Sequence, residues 1–148
     1  MLFRSPPLIT GHRACRIIHV EIDNGAVRSI RDRTNLLTAL RHVGLDLEPI
    51  PCGGDDPVYQ EREQWTSGAN FFAIAPGRII GYGRNKRTYD ELSKRGFEII
   101  RYSELKAGTS NLRGHEKVAV SIEGAELTRG GGGCRCMTLP VLRDAVSW

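Results

Sequence analysis

The stretch FFAIAPGRIIGYGRNKRTYDELSKRGFEIIRY, residues 71–102, decides the fold of this chain. Its first two segments, FFAIAPG and RIIGYGRN, are short runs rich in apolar residues and have the length of strands. The third segment, TYDELSKRG, has the composition and the terminal glycine of a short helix, and FEIIRY is again a strand candidate. The order strand, strand, helix, strand predicts a ββαβ unit and therefore an α/β fold.

The N-terminal half repeats part of this order. RIIHVEI, residues 16–22, alternates apolar and polar side chains as a strand does, and the following DNG is a turn signal. Thr34 is a plausible N-cap for a helix through NLLTALRHVG that ends at Gly44, and LDLEPIPC, residues 45–52, is interpreted as another strand. This order predicts a weak internal repeat of about fifty residues, in the succession of elements only and without residue-level identity.

The C-terminal part contains a run of four glycines, residues 130–133, directly before Cys134 and Cys136. Glycine runs are kept where φ must be positive or where another group approaches the backbone closely. VAVSIEGAEL before the run and RCMTLPV, residues 135–141, after it are both interpreted as strands, and the polar residues 103–117 as a surface excursion. The glycines are therefore expected to form a tight loop, with Cys136 at the start of the second strand.

The overall composition limits the possible function classes. The chain has 148 residues, of which 40% are hydrophobic and 26% charged, so we expect one globular domain over residues 1–148. The formal net charge is +4, but the arginines are scattered among acidic neighbours, so we expect no nucleic-acid partner. No apolar run approaches the roughly 18 residues of a membrane span, and the first residues lack a secretory core. We expect a cytoplasmic protein without a membrane partner.

The four cysteines, at positions 15, 52, 134 and 136, are too few for a disulfide scaffold, which leaves metal binding, catalysis or packing. A cysteine after a glycine turn can be accessible, and nearby backbone N–H groups and Arg135 favour its thiolate. Cys136 is therefore a candidate nucleophile. Zinc would need more ligands than Cys134, Cys136 and the possible helper His115, so we expect no metal. An inert, packed Cys136 remains the open alternative at this point.

A family resemblance is carried by three segments in register: RGGGGCRCMTLPVLRD, the segments CGGDD, REQW and NFFAIAPG, and GYGRNKRTYDELSKRGFEII. Together they cover about residues 36–144 and resemble arginine deiminases. RGGGGCRCMTLPVLRD, residues 129–144, is similar to the glycine-rich Cys-Met signature of that family and its Pro-Leu-Ile-Arg ending. Residues 52–77 contain CGGDD, REQW and NFFAIAPG, which resemble the Gly-Gly-Asp, Arg-Glu-Gln-Trp and Asn-x-x-Ala-Ile-Ala-Pro-Gly segments of the family. GYGRNKRTYDELSKRGFEII, residues 81–100, resembles its Tyr-x-Arg-Asn, helix and strand.

The resemblance implies a pentein fold, the amidinotransferase-like five-bladed α/β propeller that is built from ββαβ modules. This chain would supply about two modules plus the closing strand, as the C-terminal part of the catalytic domain. Residues 1–35 match the family poorly.

The resemblance also implies a hydrolase of arginine catabolism that converts L-arginine and water to L-citrulline and ammonia, without a cofactor. Cys136 matches the catalytic nucleophile, which forms a thiouronium intermediate. Arg129 and Gly130 match motif residues on the substrate side, whereas Gly131 stands where the family has an arginine and Cys134 where proline is usual.

The acid/base half of the family's site is not evident in this sequence. His19 in HVE resembles the His-x-acid pattern of the family's general base, with an ordinary strand histidine as the alternative; His12, His42 and His115 have no better claim. Because a full deiminase is more than twice as long, we expect either a homo-oligomer or a complementing chain. The alternative functions are a catalytically silent guanidino-binding or assembly module and an amidinotransferase-like protein.

Overall fold

The computed structural model describes Ile9 and residues 14–142 of the chain. In chain order the elements are β1 Ile17–Asp23, β2 Ala26–Arg33, α1 Leu36–His42, α2 Pro57–Trp65, β3 Phe72–Ala75, β4 Arg78–Tyr82, α3 Lys86–Lys94, β5 Glu98–Arg101, α4 Tyr102–Ala107, β6 Val118–Ile122 and a 3-10 helix Leu127–Gly130.

A mixed four-stranded sheet with the order β3-β4-β6-β5 carries the central part of the chain. β3 pairs antiparallel with β4, and β6 lies between β4 and β5, parallel to both. β3, β4, α3 and β5 follow one another as the sequence predicts, so the ββαβ unit of residues 71–102 is confirmed. The mixed α/β class is confirmed as well.

Both faces of the sheet are covered along β4, β5 and β6, whereas β3 is mostly exposed. The strand residues Ile79 and Ala119 pack on one face against α3, with Tyr89 and Leu92 from that helix and Ile50 from the preceding loop. On the other face, the buried side chains Ile100, Val118 and Val120 pack against Leu105 of α4 and Leu112. Side chains that alternate between two covered faces give β4, β5 and β6 their apolar sequences.

β1 and β2 form a separate antiparallel hairpin, which α1 contacts. Asn24 and Gly25 connect the strands with φ angles of 48° and 79°, as expected for a two-residue turn with the twist of a hairpin. The turn was predicted, whereas β2 was not. The N-cap of α1 is Asn35, whose side chain accepts a hydrogen bond from the Thr38 N–H, so the assignment of this role to Thr34 was wrong.

Three further expectations need correction. The predicted strand of residues 45–52 is irregular apart from one bridge residue, Pro49, because Pro49 and Pro51 have no N–H to donate. The surface excursion predicted for residues 103–117 contains helix α4, which ends at Gly108 with φ of 71°; helix α2, residues 57–65, was not predicted. The closing strand of residues 135–141 is absent: a turn spans 134–137, and 138–142 are irregular.

The resemblance implied two modules plus a closing strand. The structure instead contains one ββαβ unit, whose sheet also includes β6, and one hairpin that is followed by a helix. No helix in the described part of the chain is both long and apolar enough to cross a lipid bilayer.

Candidate active site around Cys136

The glycine loop lies beyond the carboxyl ends of the parallel strands β4 and β6. Tyr82 and Ile122 are paired at these ends, and the chain enters the loop from β6. Phe72 of the antiparallel β3 pairs with Ile80, so Asn70, two residues before Phe72, is level with Tyr82 at the same edge. The topology therefore brings Asn70 to the loop from a distant part of the sequence.

The positions of the glycine run differ in what makes a side chain unfavourable there. Gly131 and Gly132 have φ angles of 79° and 80°, which side chains rarely allow. A Cβ on Gly132 would also lie 3.0 Å from Cβ of Cys136. A Cβ on Gly133 would lie 2.5 Å from Cβ of Asn70, whereas one on Gly130 would meet nothing within 4 Å. The close approach and positive φ expected from the sequence are thus both found, at three of the four positions.

The side-chain amide of Asn70 holds the end of the loop through both of its polar atoms. Its Oδ1 accepts hydrogen bonds from the backbone N–H groups of Arg135, at 3.0 Å, and Cys136, at 3.3 Å. Its Nδ2 donates to Sγ of Cys136 at 2.8 Å. Asn70 therefore contacts the candidate nucleophile directly.

Cys136 is exposed, and its surroundings lower the pKa of its thiol. A hydrogen bond with the Gly133 backbone contributes most, followed by the bond from Asn70 and the positive charge of Arg135; partial loss of hydration acts in the opposite direction. A thiol with a lowered pKa is ionised more at neutral pH, and the thiolate is the nucleophile. Accessibility and charge both suit Cys136 for covalent chemistry.

The other described cysteines lie in different surroundings. Cys134 and Cys52 are buried, and loss of hydration raises the pKa of both thiols. Cys52 also lies 3.5 Å from the Thr88 hydroxyl, far along the chain from the loop. Cys15 is exposed but lies in the N-terminal segment before β1.

Two side chains, one at the end of β4 and one from the β4–α3 connection, contact the glycine loop on either side of Cys136. Nη1 of Arg84 donates to the backbone oxygen of Ala125 and to Oγ1 of Thr128, 3.0 Å away. The Tyr82 hydroxyl lies 3.7 Å from Sδ of Met137, beyond Cys136. These contacts connect both ends of the loop to the central sheet.

The two substrate-side candidates lie on the same loop, before Cys136. Arg129 is in the 3-10 helix, is largely exposed and forms an ion pair with Glu126 at 3.0 Å. Gly130 is the last residue of that helix and is exposed. Arg129 is thus available to solvent and to a ligand, although its present ion-pair partner is Glu126.

His19 is placed elsewhere. It lies on β1, where its Nδ1 is 3.2 Å from Nη2 of Arg33 and its ring makes an edge contact with His42 at 5.7 Å between centroids. His115 lies in the loop before β6, and His12 is outside the described residues. Within residues 14–142, no histidine or carboxylate forms a hydrogen bond with Cys136. No group of three His, Cys, Asp or Glu side chains in the described part could hold a metal ion.

Asn70 is the site residue that the sequence reasoning missed. It stands first in the NFFAIAPG segment, two residues before β3, and a polar residue just ahead of an apolar run was the available signal. In the REQW segment, Trp65 is 79% exposed, whereas Glu63 is buried and accepts hydrogen bonds from the first turn of α3.

Comparison with known proteins identifies the family of the chain. The family model for arginine deiminase matches residues 5–143. The chain belongs to the arginine deiminase family. An arginine deiminase of Listeria welshimeri is 40% identical over 99 residues, which are 67% of this chain and 19% of that protein. An arginine deiminase of Bacillus thuringiensis subsp. konkukian is 35% identical over 150 aligned residues, covering 97% of this chain and 31% of that protein.

These arginine deiminases are several times longer than the present chain, which spans between 19% and 31% of their length. The match therefore covers most of this chain but only part of each relative. The glycine loop and the Asn70 segment both fall within the matched residues.

Proposed function

We propose that this chain supplies the nucleophile loop of an arginine deiminase-type hydrolase that acts on a C–N bond of L-arginine. The observation that carries the proposal is the exposed Cys136 in the glycine loop, with hydrogen-bond donors aimed at its sulfur. Membership of the arginine deiminase family supports the same conclusion. The substrate would be the guanidinium group, and the products L-citrulline and ammonia.

In the proposed reaction, the Cys136 thiolate attacks the guanidinium carbon and forms a C–S bond. The C–N bond to one terminal nitrogen then breaks, and that nitrogen leaves as ammonia after taking up a proton. Water attacks the thiouronium carbon, the C–S bond breaks, and the thiolate is released together with citrulline. Exposed Arg129 and Gly130, on the same loop, are proposed to contact the substrate.

The proton transfers need a general acid and base, and carboxylates must hold the cationic head group. We propose that these groups come from a second copy or a complementing chain, with this chain as the C-terminal part of a pentein-type catalytic domain. The absence of any hydrogen bond from a histidine or carboxylate of residues 14–142 to Cys136 supports this division. A five-bladed propeller would then form only in the assembled protein.

The test is citrulline formation from L-arginine, with Cys136→Ser beside the unchanged chain and Cys15→Ser as the matched control. We expect any turnover to be lost in Cys136→Ser and retained in Cys15→Ser, because Cys15 is exposed but distant in the sequence from the loop. Circular dichroism is expected to show no loss of folding in either variant. Turnover that persists in Cys136→Ser would contradict the nucleophile assignment.

A second measurement tests whether the chain binds a guanidinium-like group even if it does not convert arginine to citrulline. An amidine-bearing alkylating agent carries the charge and shape of the guanidinium group, whereas iodoacetamide is neutral. We expect the amidine reagent to label Cys136 in preference to Cys15, with less preference for iodoacetamide. Equal labelling of both cysteines by both reagents would contradict a guanidinium site.

A catalytically silent guanidino-binding or assembly module is the second candidate function. The observation in its favour is that no histidine or carboxylate of residues 14–142 bonds to Cys136. Selective labelling by the amidine reagent without citrulline formation, alone and with a full-length family member whose own nucleophilic cysteine is replaced by serine, would support this candidate over the first.

A further inference from the structure

Asn70 contacts Cys136 in a way that fixes the orientation of its own amide group. The backbone N–H groups of Arg135 and Cys136 both point at one atom of that amide, at 3.0 and 3.3 Å. A backbone N–H only donates, so the atom that it contacts must be the acceptor Oδ1. The remaining atom, Nδ2, is then the one that faces Sγ of Cys136 at 2.8 Å.

This orientation makes the sulfur an acceptor. A neutral thiol accepts hydrogen bonds weakly, whereas charged acceptors form hydrogen bonds about twice as strong as neutral ones. An N–H donor held at 2.8 Å from the sulfur therefore favours the thiolate over the thiol. We infer that Asn70 is a positioning residue for Cys136, which holds the loop with its carbonyl and stabilises the thiolate with its amide N–H.

Asn70 is itself held in place. Its backbone N–H donates to the Ser67 backbone oxygen at 3.0 Å, and β3 begins two residues later. On the loop side, Gly133 leaves the space that Asn70 occupies, since any Cβ there would lie 2.5 Å from the Asn70 Cβ. The donor is thus fixed from both sides before a substrate arrives.

The alternative is that Asn70 only anchors the loop backbone. Asn70→Asp separates the two roles, because aspartate has the same shape and still accepts both backbone N–H bonds. It replaces the donor with a negatively charged oxygen next to the sulfur. A loop anchor would tolerate this change, whereas a thiolate-stabilising donor would not.

The measurement is the rate at which iodoacetamide alkylates Cys136 as a function of pH, between about pH 5 and pH 10. The rate follows the thiolate fraction, so a lowered pKa gives reaction at lower pH. We expect Asn70→Asp to move the midpoint to higher pH and to slow alkylation at neutral pH at least about tenfold, which corresponds to one pKa unit. Asn70→Ala, which removes the donor without adding charge, is expected to move it less in the same direction.

Two controls separate this effect from general damage. The exposed Cys15 is a reference thiol in the same sample, and digestion after Arg135 places Cys134 and Cys136 in different peptides. Asn111→Asp adds the same charge at an exposed site whose side chain also accepts a backbone N–H. Neither the Cys15 profile nor the Cys136 profile of Asn111→Asp is expected to move.

An unmoved Cys136 profile in both Asn70 variants would overturn the inference and leave Asn70 as a loop anchor. The inference rests on the proposed function only in taking Cys136 as the nucleophile. Because iodoacetamide has no guanidinium group, the experiment does not depend on arginine turnover. Failure of the proposed function appears in the citrulline and amidine-labelling assays, whereas failure of the Asn70 role appears in the pH profile.

Discussion

Gly130 and Gly133 stand three residues apart in the same glycine run but have different surroundings. Gly133 is buried, and a Cβ there would collide with Asn70, whereas Gly130 lies in the 3-10 helix with open space around it. We expect Gly133→Ala to lower the free energy of unfolding by about 1–3 kcal/mol and to slow alkylation of Cys136, because Asn70 must move. Denaturant unfolding and the iodoacetamide rate measure both effects.

Gly130→Ala is the matched control for this substitution. It is expected to change the free energy of unfolding by no more than about 0.5 kcal/mol, as at other surface positions. If both alanine variants had the same free energy of unfolding, the close approach of Asn70 to the loop would not be the reason why position 133 is glycine.

Single residues were predictable from the sequence where their evidence was local. Cys136 was selected because it follows the glycine run and Arg135 in the sequence. The same neighbours, Gly133 and Arg135, act on its thiol in the structure. Asn70 was not selected because 66 residues separate it from Cys136, and only the pairing of β3 with β4 brings them together. The resemblance of His19 to a general base rested on a local pattern, with an ordinary strand histidine as the alternative, and the structure places this residue against Arg33 and His42.

At the scale of elements, α3 begins with an unusual cap. Its N-cap residue, Asn85, makes no side-chain bond to the helix and instead donates to the backbone oxygens of Thr66 and Tyr82. The buried Glu63 of α2 provides the cap, since its carboxylate accepts from the N–H groups of Arg87 and Thr88 at 3.0 and 2.9 Å. A carboxylate at a helix N-terminus also interacts favourably with the helix dipole.

Glu63→Gln is therefore expected to lower the free energy of unfolding by about 1–3 kcal/mol, because the charged acceptor of these buried bonds becomes neutral. The exposed Glu61, two residues earlier on α2, is the matched control. Glu61→Gln is expected to change stability by no more than about 0.5 kcal/mol in the same urea titration. Equal effects of the two substitutions would argue against a capping role for Glu63.

The elements predicted well are those with a partner inside the described chain. β4, β5 and β6 are apolar because both faces of their sheet are covered, and their patterns were read correctly. Residues 135–141 have the composition of a strand, but no described strand pairs with them, and Leu139 is 84% exposed. A strand needs a neighbour as well as a pattern, and the sequence of one segment does not reveal whether the neighbour is present.

At the scale of the whole molecule, the hairpin has one apolar face without a cover in the described structure. Ile18, Val20 and Ile22 of β1 lie on this face with Val27 and Ile30 of β2, and all five are exposed. The register shift between Glu21 and Ile22 brings Val27 to the same side as Ile30. A contiguous apolar face of this kind favours association with another surface.

We therefore expect the chain on its own to self-associate, and Val20→Thr with Ile30→Thr to reduce that association. The two residues are cross-strand partners at the centre of the face, and threonine keeps the strand preference while reducing apolar area. Sedimentation velocity over a concentration series measures the change. Arg31→Thr, next to Ile30 but on the opposite face, is expected to leave association unchanged. A parent chain that stays monomeric at the highest concentration would show that the hairpin face does not recruit a second copy.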